Sequence, residues 1–165
     1  MSLPSSTELL IADTSPLLAL ARVDGLSLLP QLFSRVLVTD SVWQECIAKP
    51  ERDDARRISE EAQQAIMERV RDPEIRSALA GLDRGEQTAL ELALQTHATV
   101  LLDERRGRAV TKAHGLKYIG ALGVLLLAKR QRLIPQIRPL LTHLMAGGYY
   151  LSDQTIARAL ELANE

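Results

Sequence analysis

Two short apolar runs in this chain each end on an acid: ELLIAD at residues 8–13 and TVLLD at 99–103. A run of this length, bounded by polar residues, reads as a buried strand. Similar short runs occur at 35–38 (RVLV) and 117–119 (KYI), with helical patterns between them. Strands alternating with helices build βαβ units, and these imply a parallel sheet covered on both faces. The expected fold is α/β, a three-layer α/β/α arrangement around a mainly parallel sheet of four or five strands. Apolar residues make up 46% of the chain but aromatics only 3%, so Leu, Ile, Val and Ala must form the core. At 165 residues the chain is the size of one domain, with a core over about 8–146 and a helical tail over 147–165.

Capping residues punctuate the helices. Ser15-Pro16 predicts one helix start and Thr39-Asp40 caps another, which begins at Ser41 and ends near Lys49-Pro50. Asp83 opens a helix reaching about Thr96, and Ser152 precedes the last one. Residues 51–70 predict an exposed helix, and Asp72-Pro73 a short one ending at Ala80-Gly81. Basic residues 104–113 predict a further helix, with two more at about 121–131 and 136–146.

Cys46, the single cysteine, has no internal partner, which fits a reducing cytoplasm, and its apolar neighbours mark it as a small core residue. Residues 1–12 lack the basic start of a secretory signal, and the apolar stretch at 119–128 is too short to span a bilayer. A cytoplasmic protein with no membrane segment is expected. Net charge is −1, yet residues 101–138 hold nine Lys/Arg against Asp103 and Glu104, a local +7 that leaves −8 for the remainder. Such asymmetry suits a phosphate-attracting face, and solvated helix surfaces would give the same count.

The two strand-end aspartates, Asp13 and Asp103, would meet if their strands were neighbours, because ligands of open α/β sheets bind beyond the carboxyl ends of the strands. Either could instead merely cap the next helix. Glu86 shares the inward face of Ala89 and Leu90, and Glu45 sits beside Val42 and Cys46 on a face expected to be mostly buried. Asp83-x-x-Glu86 also reads as a capping box, with no further task for Glu86. Four carboxylates brought together would need pairing, protonation or a cation. An all-oxygen set suits Mg²⁺ or Mn²⁺.

The segments IADTSPLLALARVDGLSLLP, RVLVTDSVWQEC, GLDRGEQTALELAL, TVLLDERRGRAVTKAHGLKYIGALGVLLLAKRQRLIP and GGYYLSDQTIARAL resemble, in order, a prokaryotic branch of the PIN-domain family with toxin-type nucleases. The resemblance implies a metal-dependent endoribonuclease, the toxin of a type II toxin–antitoxin pair. It implies Asp13, Glu45, Glu86 and Asp103 as catalytic acids, with Asp13, Glu86 and Asp103 as metal ligands. Thr14, Ser15 and Glu104 would support them, and Arg105, Arg106, Arg108 and Lys112 would grip RNA phosphates. A small antitoxin partner and a homodimer are also implied. The alternative is a PIN-like module that binds or regulates without cutting. A phosphatase of the haloacid-dehalogenase type is disfavoured, since that chemistry needs a second Asp where Ser15 stands. Residues 49–80 match no function.

Overall fold

The computed structural model describes residues 8–49, 51–63 and 66–165. The chain runs β1 (Leu9–Ala12), α1 (Thr14–Arg22), a 3-10 turn Leu26–Leu28, α2 (Leu29–Leu32), β2 (Arg35–Thr39) and α3 (Asp40–Ile47). Next come α4 (Asp53–Gln63), β3 (Glu68–Val70), α5 (Arg84–Thr96), β4 (Thr99–Leu101), α6 (Arg105–Ala113) and β5 (Tyr118–Ile119). Helices α7 (Ala121–Arg130), α8 (Arg138–Ala146) and α9 (Asp153–Leu162) complete it.

All five strands are parallel, in the order β3-β2-β1-β4-β5. Parallel strands need crossover helices on the faces, which is why β1 and β4 read as unbroken apolar runs. Right-handed crossovers place α1 to α4 over one face and α5 and α6 over the other. Leu10, Ile11, Val38, Val100 and Leu101 are fully buried between these layers, and one apolar cluster extends from them to Ala159 of α9 and Ala163 just after it. No helix among the described residues is long and apolar enough to cross a membrane.

The order reverses at β1: the chain steps outward to β2 and β3, then returns to lay β4 on the other side. Ile11 pairs with Val100, and the Asp13 amide donates to the Leu101 carbonyl at 3.0 Å. The carboxyl ends of β1 and β4 therefore form the crevice where such sheets bind ligands.

Several expectations are corrected between residues 51 and 83. The helix predicted over 51–70 stops at Gln63, and Glu68–Val70 is an edge strand paired with Leu37–Thr39. Its Glu68 and Arg69 are exposed, so no apolar signal marked it. Residues 64–65 lie outside the described residues, as do Pro50, the predicted helix end, and 1–7 of the amino-terminal stretch. No helix follows Asp72-Pro73. Asp72 instead accepts from the Ser41 amide at 2.8 Å and its hydroxyl at 2.5 Å, and buried Glu91 accepts from the Ser77 amide at 3.0 Å. These anchors replace helical hydrogen bonds. The first cap also differs: Asp13, not Ser15, is the N-cap of α1, though its side chain makes no capping bond.

Candidate functional site

Asp13, Thr14, Ser15, Glu45, Gly81, Asp83, Glu86, Glu104 and Arg106 line one cleft of about 450 Å³ at the β1–β4 switch. Helix starts position most of these groups. Asp83 caps α5 through both halves of a capping box: its side chain accepts from the Glu86 amide at 2.9 Å, and Glu86 Oε2 accepts from the Asp83 amide at 3.0 Å. The capping reading of Glu86 therefore holds, and the same geometry holds its carboxylate at the cleft.

Glu45 departs from expectation, being exposed rather than on a mostly buried face. Its oxygens are nonetheless fixed. Thr14 Oγ1 donates to Oε2 at 2.7 Å and the Gly85 amide to Oε1 at 3.0 Å. A Cβ at Gly85 would lie 2.6 Å from Glu45 Oε1, so the bare backbone of the first turn of α5 is what admits this carboxylate.

The two helices are keyed together by a buried chain of hydroxyls. Thr88 Oγ1 donates to the Gly85 carbonyl at 3.0 Å, so its contact with Thr39 Oγ1 at 2.8 Å must be received from Thr39. Thr39 in turn accepts from the Val42 amide as the N-cap of α3. Every group in the chain is satisfied, and it sets α3, which carries Glu45, against α5, which carries Glu86.

Asp13 is 3% exposed. Burial pushes its carboxyl up to about 8; the Thr14 amide offsets part of this, and Glu86, Asp83 and Glu45 push in the same direction as burial. Glu86 is also raised, first by burial. Cys46 is 2% exposed, and its thiol is pushed up to about 12, chiefly by burial, as suits an inert core residue.

Asp103 does not line the cleft. It turns toward the start of α7, where Oδ1 accepts from the Ala121 amide at 3.1 Å and from Arg108 at 3.1 Å. Burial, and then the Asp103 carboxylate, raise the nearby Tyr149 phenol above its ordinary range. Among the described residues, just two buried side-chain oxygens or nitrogens lack a hydrogen-bond partner: Asp13 Oδ1 and Asp103 Oδ2. They belong to the two strand-end aspartates singled out from the sequence.

The predicted phosphate-binding residues separate. Arg106 reaches the cleft and donates to the Gly81 carbonyl at 2.8 Å; Arg105 and Lys112 are exposed on α6; Arg108 is half-buried and committed to internal partners. Asp83 and Gly81 were missed as cleft residues. Gly81 has φ +82, and only the Gly-x-x-x-Gly spacing before Glu86 hinted at the tight approach it allows.

Do these residues fit a divalent ion? The donors are all oxygens, like charges crowd one another, and a nearly fully buried oxygen faces the cluster with nothing to bind it. That is the chemistry of a hard cation held by a few carboxylates plus water. Among the described residues no three His, Cys, Asp or Glu side chains stand close enough together to hold an ion unaided. Glu45 gives both oxygens, and Glu86 and Asp103 one each, to protein donors instead.

The chain is thus a doubly wound parallel α/β domain with an acidic crevice at its switch point. The model of the PIN-domain family matches residues 9–165, and the chain belongs to that family. PIN domains typically use divalent metals. None of the curated proteins compared with the chain matches it.

Proposed function

We propose that this protein is a metal-dependent endoribonuclease, with Asp13, Glu45, Glu86 and Asp103 supplying its carboxylates and Thr14, Ser15 and Glu104 supporting them. The observation that carries the reading is the pair of orphaned buried oxygens, Asp13 Oδ1 and Asp103 Oδ2, just past the carboxyl ends of adjacent strands. An unpaired buried carboxylate oxygen is costly enough that a bound cation is its natural complement. Asp13, Glu86 and Asp103 would hold Mg²⁺ or Mn²⁺, with Glu45 ligating directly or through water. Such an ion lowers the pKa of water and offsets charge on phosphate oxygens.

Around it the chain's own groups do the remaining work. Water oxygen bonds to phosphorus as the bond to the departing ribose oxygen breaks. A carboxylate of the cleft takes the proton from water, and the departing oxygen gains one from solvent. Thr14 and the Gly85 amide keep Glu45 aimed. Arg106 meets a phosphate at the cleft, and Arg105 and Lys112 meet flanking ones, contacts that position RNA without reading its sequence.

As the toxin of a type II pair it would be silenced by a small antitoxin protein, and it would act as a homodimer in the cytoplasm. The test is the purified protein against single-stranded and structured RNA with Mn²⁺, then with EDTA. Cleavage that stops with EDTA and is absent in Asp13→Asn supports the reading. RNA left intact by the Mn²⁺-loaded wild type overturns it in favour of a binding or regulatory module.

A further inference from the structure

We infer that Arg108 is a positioning residue for Asp103, not an RNA-phosphate contact. The inference rests on the carboxylate reading of the site.

Two of the three guanidinium nitrogens of Arg108 have internal partners. Its Nε donates to the Leu102 carbonyl at 3.1 Å while one terminal nitrogen donates to Asp103 Oδ1 at 3.1 Å. The guanidinium also lies over the Tyr118 ring, 5.6 Å from its centre. One planar fork thus grips the backbone of residue 102 and the carboxylate of residue 103 together. A lysine, with a single nitrogen on a flexible stem, cannot reproduce that.

The surrounding chain is shaped for this grip. Asp103 Oδ1 takes a second bond from the Ala121 amide at 3.1 Å, so that oxygen is saturated by two donors. A Cβ at Gly120 would fall 2.5 Å from Asp103 Oδ1 and 2.6 Å from the Arg108 nitrogen. Gly120 has φ −97, so space and not backbone conformation demands glycine there. With Oδ1 occupied, Oδ2 is the buried oxygen left without a hydrogen-bond partner, and the Asp103 carboxylate lies close enough to the Tyr149 phenol to raise it. Arg108 and Gly120 together decide which oxygen Asp103 offers.

A phosphate-binding arginine would behave differently. It would be exposed, as Arg105 and Arg106 are, and its removal would weaken RNA binding by a salt-dependent amount.

Wild type, Arg108→Lys, Arg108→Ala and Gly120→Ala are titrated with MnCl₂ by calorimetry, and their RNA binding is followed against salt in chelator. Both Arg108 variants should bind Mn²⁺ about tenfold more weakly or worse, the loss typical of removing a group that orients a ligand. Their log–log salt slope for RNA binding should match wild type. Gly120→Ala, which keeps the arginine but invades its space, should also lose Mn²⁺ affinity, and it serves if Arg108→Ala does not fold. Wild-type Mn²⁺ affinity in Arg108→Lys overturns the inference. So does a salt slope shallower by about 0.7, the signature of one lost phosphate contact on a single strand. A wild-type protein that takes up no Mn²⁺ sinks the carboxylate reading itself and this inference with it; unchanged affinity in the variants overturns only the role of Arg108.

Discussion

At the scale of single residues, Asp13 dominates the electrostatics. Its carboxyl is raised from 3.8 to about 8 in the folded chain. Between those values the native state holds a proton that the unfolded state has released, so stability falls as pH rises through this window. In chelator, the thermal midpoint should therefore drop from pH 5 to pH 8, and Asp13→Asn should flatten that slope while abolishing cleavage; circular dichroism melts at each pH read it. Gly85→Ala tests the approach of Glu45. The clash falls on the end of a flexible side chain, and alanine favours the helix by up to about 1 kcal/mol, so the midpoint should hold or rise while the initial rate of RNA cleavage falls. Asp13 was legible in the sequence because it closes an apolar run and Asp103 closes a second one, a pairing that helix capping alone does not call for. The Glu45–Gly85 contact was not: it joins positions 40 residues apart, and no local pattern encodes it.

Among elements, the junction of α3 and α5 fixes the cleft. Thr88→Val removes the donor to the Gly85 carbonyl and leaves Thr39 without its acceptor. It should cost about 1–3 kcal/mol in urea unfolding, within the range for stranded buried polar groups, and should slow cleavage more than it weakens RNA binding. The sequence made the caps of α3, α5 and α9 readable, because Thr39, Asp83 and Ser152 each accept from an amide three residues on. It hid β3, whose polar edge carries no period, and the anchored loop after Asp72, whose bonds go to distant Ser41 and Glu91. Residues 51–63, without an assigned task in the sequence, turn out to brace α1: Asp54 is 3% exposed and accepts from Arg22 at 2.9 Å and Arg52 at 2.6 Å. Burial raises its carboxyl, but these two arginines outweigh that and hold it below the usual range.

For the whole molecule, the charge pattern divides more finely than the sequence suggested. Of the nine cations at 101–138, Arg108, Lys117 and Lys129 are paired with Asp103, Glu8 and Glu165, whereas Arg105, Arg106 and Lys112 stand on α6, and of these Arg106 lines the cleft. Affinity for single-stranded RNA should fall linearly on a log–log plot against salt, and Arg106→Ala should reduce that slope by about 0.7; filter binding in chelator measures both. The pairing of β1 with β4 has a consequence for synthesis. A nascent chain that has emerged only as far as Thr96 already carries Asp13, Glu45 and Glu86, yet the strand that closes the crevice is still inside the ribosome. On the proposed nuclease reading, cutting ability would arrive late, with the last central strand, and a translating cell would be shielded from half-made copies by the order in which the sheet is laid down.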